Sequence, residues 1–409
     1  MNSRKVIHIS HADIEGGAAR AAYRIHRSFC SREAATVFQS ELLVNKKSSD
    51  DESVKLLPKG SLTIRELPQY LLQVTRARLI YRRLKKFKTT NPSWHSICAT
   101  PSNRATKINA AEADVVNLHW LGDSVFSIEE IGRLTKPLVW TLHDQWAFCG
   151  AEHYTNLPPE EDDRYAEGYL AANQPSSESG YDVNRQVWLR KKRSWRKPMH
   201  IVCPSRWLAD CARRSALMQS WPISIIPYPI DITLWAPAHK PAVRREFQLD
   251  DEKLYLVFGA IGGTSDPRKG GQLLCELLHK LNWMLTDEEN KKVELLVFGE
   301  EEPVGASPFP FRCHYFGNVG DDRKLAAIYS AADIMLLSSR LDNLPNTALE
   351  AHACGIPVVG FDVGGVSDII DEGKTGFLAK AFDTSGFASK VKSLLSDRNL
   401  LNSFGVNAR

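Results

Sequence analysis

Ala331 to Phe377 reads AADIMLLSSRLDNLPNTALEAHACGIPVVGFDVGGVSDIIDEGKTGF, and this stretch decides the fold. Asp333 to Ser339 is a short apolar run between turn signals, the pattern of a buried parallel strand. A polar loop, Arg340 to Pro345, follows, and Asn346 to Cys354 has helical composition with Asn346 or Thr347 as its expected cap. Gly355 ends that helix, IPVVGFD opens another strand, and Gly364-Gly365 leads into a short helix. A helix that starts beyond the carboxyl end of a parallel strand presents unpaired N–H groups and a positive dipole end, which suits phosphate. Two acids flank this start, Asp342 in the loop and Glu350 one turn inside. Carboxylates repel phosphate but accept well from hydroxyl groups. Acids near a helix start also serve as plain dipole partners, so the pattern has a structural reading too. The ligand reading is a diphosphate flanked by two polyols, which describes a nucleotide sugar.

The same segment resembles the signature of the retaining glycosyltransferases of the GT-B fold, family 4, also called glycosyl transferases group 1. That signature is an acid, seven residues, Glu, then Ala and a Gly-x-Pro-Val-Val strand; Asp342, Glu350, Ala351, Gly355, Pro357, Val358 and Val359 fill it. The first acid is usually Glu, and here it is the shorter Asp342. The wording DNLPNT is similar to a branch that builds exopolysaccharides such as colanic acid. The resemblance implies an α/β architecture of two Rossmann-like domains facing each other across a cleft, with the nucleotide sugar held by the second.

Composition agrees with that scale. The 409 residues suffice for two domains of ordinary size, and the apolar and charged fractions, 43% and 24%, are those of a soluble globular chain. A formal charge of only +4 gives no global nucleic-acid signal. The eight cysteines, at 30, 98, 149, 203, 211, 275, 313 and 354, form no CxxC pair, the usage of a reduced cytosolic protein without a zinc site. The apolar strand after MNSRK is too short for a signal peptide, and no run approaches a membrane span. The expectation is a cytoplasmic protein, at most attached peripherally to a membrane surface.

Along the first half, Val6 to Ser10 predicts a strand, and HADIEGG (His11 to Gly17) leads into a helical pattern, AARAAYRIHRSF. A glycine pair between strand and helix is a phosphate approach or simply a tight turn. In the resembling family this loop lies against donor and acceptor, which implies Gly16 and Gly17 as binding residues. Another strand is expected over Ala35 to Val44. Residues 62–88 interleave Leu, Ile, Tyr and Phe with Arg and Lys and carry one acid, Glu66. Such a basic amphipathic helix either attaches to anionic membrane surfaces or packs on its own domain. A lipid-linked sugar acceptor, common in the family, would suit the former. Asp114 to Trp120 and Leu138 to Asp144 predict strands, with a helix over Phe126 to Leu134 between them. His143 and Asp144 fall at the carboxyl end of the later strand, where open α/β sheets bind ligands. The resemblance implies that His143 contacts the transferred sugar, with Asp144 beside it; His119, ending NLHW, ranks second. Residues 150–197 are polar and irregular and read as a long insertion loop, an acceptor lid. Met199 to Cys203 predicts a strand, Ser205 a helix start, and Ile223 to Ile226 the last strand of this half. Four prolines between Pro227 and Pro241 mark the linker, so the expected domains are 1–232 and 233–409.

The second half restarts the rhythm with a strand at Leu254 to Ala260, then IGGTSDPRKGG and a helix. Arg268 and Lys269 on that turn are cations suited to a diphosphate, or ordinary surface residues. The family's usual Arg, five or six residues before the Lys, is replaced here by Thr264 and Gly263. Strands are expected at Val293 to Gly299 and Cys313 to Gly317, a helix at Asp322 to Ala332, and a final helix at Thr384 to Leu395. The family usually adds a terminal helix that crosses back to the first domain, and this chain stops at Asn407-Ala408-Arg409, around where it would begin.

The resemblance thus implies a retaining, metal-independent hexosyltransferase that needs no cofactor beyond its nucleotide-diphosphate sugar donor. Lys269, Arg268 and the amides around Asn346 to Ala348 would hold the diphosphate, and Glu350 the ribose. Asp342, with the Asn343-Leu344 amides, would hold the sugar hydroxyls. His143, Asp342 and Lys269 are the expected catalytic residues; Asn346 and Thr347 join the binding set. The acceptor would be a saccharide, lipid-linked in exopolysaccharide or lipopolysaccharide synthesis; no nucleic-acid partner is expected. Two rivals share the fold, a nucleotide-sugar epimerase and a catalytically silent sugar- or nucleotide-binding protein. An oxidoreductase is disfavoured, since no strand is followed by an intact G-x-G-x-x-G.

Overall fold

The computed structural model describes residues 3–409 except 61, 63, 65, 66, 123, 124, 156–161 and 260–265. Backbone contacts divide the chain into two compact units, Met1–Pro229 and Ile230–Arg409. Each has its own apolar core, one formed by residues between Ile7 and Trp221, the other by residues between Trp235 and Phe404. The expected pair of Rossmann-like α/β units is present, each around a parallel sheet.

In the first unit the strands are β1 (Arg4–Ala12), β2 (Phe38–Lys46), β3 (Val54–Leu56), β4 (Lys88–Thr89), β5 (Val115–Leu118), β6 (Leu138–Thr141), β7 (Glu178–Ser179), β8 (His200–Cys203) and β9 (Ile223–Ile225). Seven of them form a sheet in the order β3-β2-β1-β5-β6-β8-β9, all neighbours parallel, while β4 and β7 pair antiparallel on their own. The reversal of strand order beside β1 puts the carboxyl ends of β1, β5 and β6 side by side, the place where doubly wound sheets bind ligands.

The second unit adds β10 (Leu254–Gly259), β11 (Val293–Phe298), β12 (Arg312–Tyr315), β13 (Ile334–Leu337), β14 (Val358–Phe361) and β15 (Gly376–Ala379), in the order β12-β11-β10-β13-β14-β15. All six are parallel. β11, β13 and β14 are buried along their whole length, which is why they read as unbroken apolar runs rather than as alternations. The order reverses next to β10, and at this switch point the described turn Pro267–Lys269 meets the end of β13.

Three expectations change. Residues 150–197 are not a loop: where described they include a helix at Arg164–Glu167, β7 and a helix at Val183–Ser194. Tyr165, Tyr169, Val183, Val187 and Trp188 are buried in the first unit's core. The polar composition that suggested a lid is consumed internally, because Arg164 is buried against Glu178 at 3.1 Å and Asp182 at 2.5 Å. The helix Thr384–Ser396 is not the last, since Arg398–Ala408 forms another, with Asp397 capping it through Asn399 N and Leu400 N and with Leu401 and Phe404 buried. The basic stretch is helical over Leu67–Leu84, where Ala77 is buried and Leu71, Leu72 and Leu79 are about half exposed. No helix among the described residues is long and apolar enough to cross a membrane.

Candidate active site

Arg268 and Lys269 both hang on the end of β13. Asp266 caps the 3₁₀ turn Pro267–Lys269 by accepting from Arg268 N, and its other oxygen takes the Arg268 guanidinium at 2.7 Å. The turn is tied to the strand end by Arg340 N donating to Arg268 O at 2.7 Å and by Ser338 Oγ donating to Lys269 O at 2.9 Å. Gly270 makes this approach possible. Its φ is +68°, and a Cβ there would lie 2.1 Å from Ser338 O, so only glycine fits. The turn directs Lys269 Nζ to Asp342 Oδ2 at 2.5 Å, an ion pair between residues 73 apart in sequence. The glycine-rich residues just before the turn, with Gly263 and Thr264, lie outside the described set.

Asp342 is itself clamped by glycine. Gly365 N donates to Asp342 O at 3.0 Å, and a Cβ on Gly364 (φ +56°) would come within 2.1 Å of that same oxygen. Asp342, Asn343 and Leu344 are all buried, 8, 2 and 5% exposed, so this loop is packed rather than waving in solvent. The helix Asn346–Ala353 follows, and the cap differs from the expected one. Pro345 holds the N-cap position and makes no side-chain cap itself; Asn346 and Thr347 are already inside the helix. Proline's locked φ, −66° here, suits the helix entry but brings no side-chain acceptor. The positive end of this helix stands beside the Lys269–Asp342 pair. Glu350, one turn in, is 2% exposed and accepts from Tyr329 OH at 3.1 Å.

In the first unit Gly16, at φ +96°, is the N-cap of the helix Gly17–Phe29 and has no side chain of its own to offer. Sequence reading missed the residue that shapes this loop. Asp13 accepts from Ile14 N, Ser48 N and Ser49 N at 2.8 to 3.1 Å, fastening the glycine loop to the one after β2. Burial pushes the Asp13 carboxyl up, yet the Ser49, Ser48 and Ile14 hydrogen bonds outweigh it and leave it below the usual range.

Asp144 is engaged by its own unit. Its carboxylate meets His153 Nδ1 at 2.6 Å and Trp146 N at 2.9 Å, and His153 Nε2 lies 2.8 Å from Ser96 Oγ. This has the connectivity of an acid–imidazole–hydroxyl triad, but Ser96 is fully buried, so no substrate carbon can reach its oxygen and the array is structural. Burial would raise the Asp144 carboxyl; the His153 imidazole and the Trp146 N–H overcome this and hold it below the ordinary value.

His143 is the end of a longer array. Its Nδ1 lies 2.7 Å from Tyr228 OH and its Nε2 lies 3.0 Å from His119 Nδ1; His119 Nε2 lies 3.0 Å from His8 Nδ1. Register explains the spacing. His8 pairs with Asn117, and Leu118 pairs with Trp140, so each histidine stands two residues further along its neighbouring strand on one face of the sheet. Successive rings stack at 5.3 Å between centroids, with Tyr228 stacked 5.4 Å beyond His143. Burial lowers all three imidazoles, His8 to about 3, His143 to about 4 and His119 well below its ordinary value, so all are neutral near pH 7. Tyr228 and His8 had no motif to announce them; only the alignment of three strands does so.

The structure thus brings Lys269, Arg268, Asp342, Asn343, Leu344, Asn346, Thr347 and Glu350 together around the carboxyl end of β13. Gly16, Gly17, His143 and Asp144 belong to the other unit. Among the described residues no group of three or more His, Cys, Asp or Glu is placed to hold a metal ion.

Residues 255–397 match the family model described as Glycosyl transferases group 1. A D-inositol 3-phosphate glycosyltransferase of Corynebacterium efficiens is 29% identical over 186 residues, 43% of this chain and 43% of that protein. The chain thus spans less than half the length of the curated relatives it matches. Among solved structures, sucrose-phosphate synthase from Thermosynechococcus elongatus superposes with a TM-score of 0.63 at 16% identity, over 99% of this chain and 93% of that one. Anabaena HepE in complex with UDP and glucose gives a TM-score of 0.63 at 13% identity, again over 99% and 93%. At such identity the likeness establishes the fold, a pair of Rossmann-like units of the GT-B kind.

Proposed function

Starting from a second unit that carries a glycosyl transferases group 1 domain over residues 255–397, we propose that the chain is a retaining, metal-independent glycosyltransferase. It moves a hexose from a nucleotide-diphosphate sugar to a saccharide acceptor, lipid-linked, in exopolysaccharide or lipopolysaccharide synthesis. The observation that carries this reading is the Lys269–Asp342 ion pair beside the start of the helix Asn346–Ala353. An arriving diphosphate offers Lys269 a second, more highly charged partner and meets the helix N–H groups, so its charge is neutralised by groups already in place. Arg268, held by Asp266, adds a further cation nearby. Freed from part of its pairing, Asp342 accepts from hydroxyls of the transferred sugar, together with the Asn343-Leu344 backbone. Glu350 accepts from the ribose, sharing its carboxylate with Tyr329. His143 acts on the transferred sugar, and Gly16 and Gly17 allow close approach of the substrates.

As the bond to the leaving phosphate breaks, negative charge grows on the diphosphate, and Lys269, Arg268 and the helix dipole stabilise it. The departing phosphate oxygen takes the acceptor hydroxyl's proton on the same face, which keeps the anomeric configuration. No protein nucleophile is required. Three further features accompany the reading: domains divided near 232, a cytoplasmic site of action, and peripheral attachment through the helix Leu67–Leu84.

The test is a thermal-shift series with UDP-, GDP-, ADP- and dTDP-sugars on the native chain and on Glu350→Gln. A donor present at 100 times its Kd stabilises by about 2.7 kcal/mol through mass action. One nucleotide class raising the midpoint of the native chain but not of the variant is the expected result. No shift with any donor would overturn the reading, and a shift without turnover on any saccharide acceptor would leave a silent binding protein.

A further inference from the structure

The array Tyr228–His143–His119–His8 places three neutral imidazoles in line, and their hydrogen bonds constrain one another. A neutral imidazole has one N–H and one lone pair, and every link in the line needs one of each. Choosing the tautomer of any one ring therefore fixes the other two. Only two arrangements exist. In one, Tyr228 donates into His143 Nδ1, each Nε2–H donates to the next ring, and the line ends with an N–H on His8 Nε2. In the other, His8 Nδ1–H donates to His119 Nε2, His119 Nδ1–H donates to His143 Nε2, and His143 Nδ1–H donates to the Tyr228 oxygen.

The far end decides between them. His8 is fully buried and its Nε2 has no hydrogen-bond partner among the described residues. The first arrangement strands an N–H there, and orphaned buried N–H groups are rare because their desolvation goes uncompensated. The second leaves only a lone pair. We propose that His8, His119 and His143 share one tautomeric state, protonated at Nδ1, and that His119 and His8 are positioning residues that make His143 Nδ1 a hydrogen-bond donor. A substrate oxygen that takes the place of the Tyr228 hydroxyl then meets an N–H, not a lone pair. A sugar hydroxyl accepts from it and keeps its own proton to give elsewhere. This functional consequence rests on the proposal that His143 meets the transferred sugar; the shared tautomer does not.

The experiment is long-range 1H–15N correlation spectroscopy on the full chain with 15N-labelled histidine, read without any substrate. Native protein should show protonated Nδ1 and bare Nε2 at residues 8, 119 and 143. A protonated Nε2 at any of the three overturns the proposal. His8→Asp then tests the coupling, since a carboxylate oxygen near the former Nδ1 position can only accept. It should reverse the line, moving the proton of His143, two links away, from Nδ1 to Nε2. If the folded variant leaves His143 protonated at Nδ1, the rings are not coupled and the proposal fails. His8→Asn, whose amide can donate to His119, should keep the native tautomers, which separates the effect from general damage to the core. With a donor sugar in hand, His8→Asp should lower kcat more than tenfold with KM little changed, and His8→Asn should restore it. Native tautomers together with no donor binding would sink the transferase reading and leave the tautomeric line standing.

Discussion

Histidines held neutral in the first unit store a dependence on acid. His8, His119 and His143 are pushed below 6.5 mainly by burial, with His8 near 3 and His143 near 4. An unfolded chain would bind a proton at each near 6.5, whereas the folded unit refuses it until far lower pH. Unfolding therefore takes up protons in that window, and stability is complete above about pH 6.5 and lost as pH falls towards 4. Each group contributes about 1.4 kcal/mol per pH unit while only its unfolded form is protonated. Chemical denaturation at pH 7.5, 6, 5 and 4.5 should show the first unit weakening with an uptake of more than one proton, and His119→Phe should flatten that slope even if it lowers stability overall. An equal slope in the variant would mean that other groups, such as His26, govern the loss.

At the level of single elements, the helix Leu67–Leu84 has two unlike faces. Ala77 is buried, with Ile80, Tyr81 and Leu84 packed against the first unit's core at helical spacing. The turns between expose Leu67, Leu71, Leu72 and Leu79 beside Arg76, Arg78 and Arg82. Exposed leucines set among arginines give both an apolar contact and a charge contact to an anionic surface. The segment packs on its domain by one stripe and keeps a basic, partly apolar face outward. Vesicles rich in phosphatidylglycerol should carry the chain to the top of a flotation gradient at low salt. Replacing Leu71, Leu72 and Leu79 by Ser should abolish flotation without shifting the thermal midpoint, and flotation of that variant would show that the helix is not the attachment site. The stretch 150–197 teaches the opposite lesson about elements. Its acids and serines resemble a surface loop, but Arg164 neutralises Glu178 and Asp182 inside the fold, and that pairing is invisible along the chain.

For the whole molecule, the two units have separate cores, so each satisfies its own hydrophobic and backbone requirements. Scanning calorimetry should resolve two transitions, and a bound nucleotide sugar should raise the one belonging to Ile230–Arg409 more than the other. A single transition that shifts as one would show the units melting together. Sequence alone was enough for β11, β13 and β14, because full burial writes them as short apolar runs, whereas Asp342, Lys269 and Glu350 were singled out by a resemblance to a family signature. The local pattern also indicated a basic helix over 62–88, which is observed over Leu67–Leu84. Only the tertiary structure decided that Pro345 rather than Asn346 or Thr347 begins the site helix, because a cap depends on backbone angles at one residue. It alone decided that His8 and His119, 111 residues apart, touch, and that His143 continues their line to Tyr228. Those contacts depend on the register of three neighbouring strands, and register is a relation between distant segments that no single segment encodes.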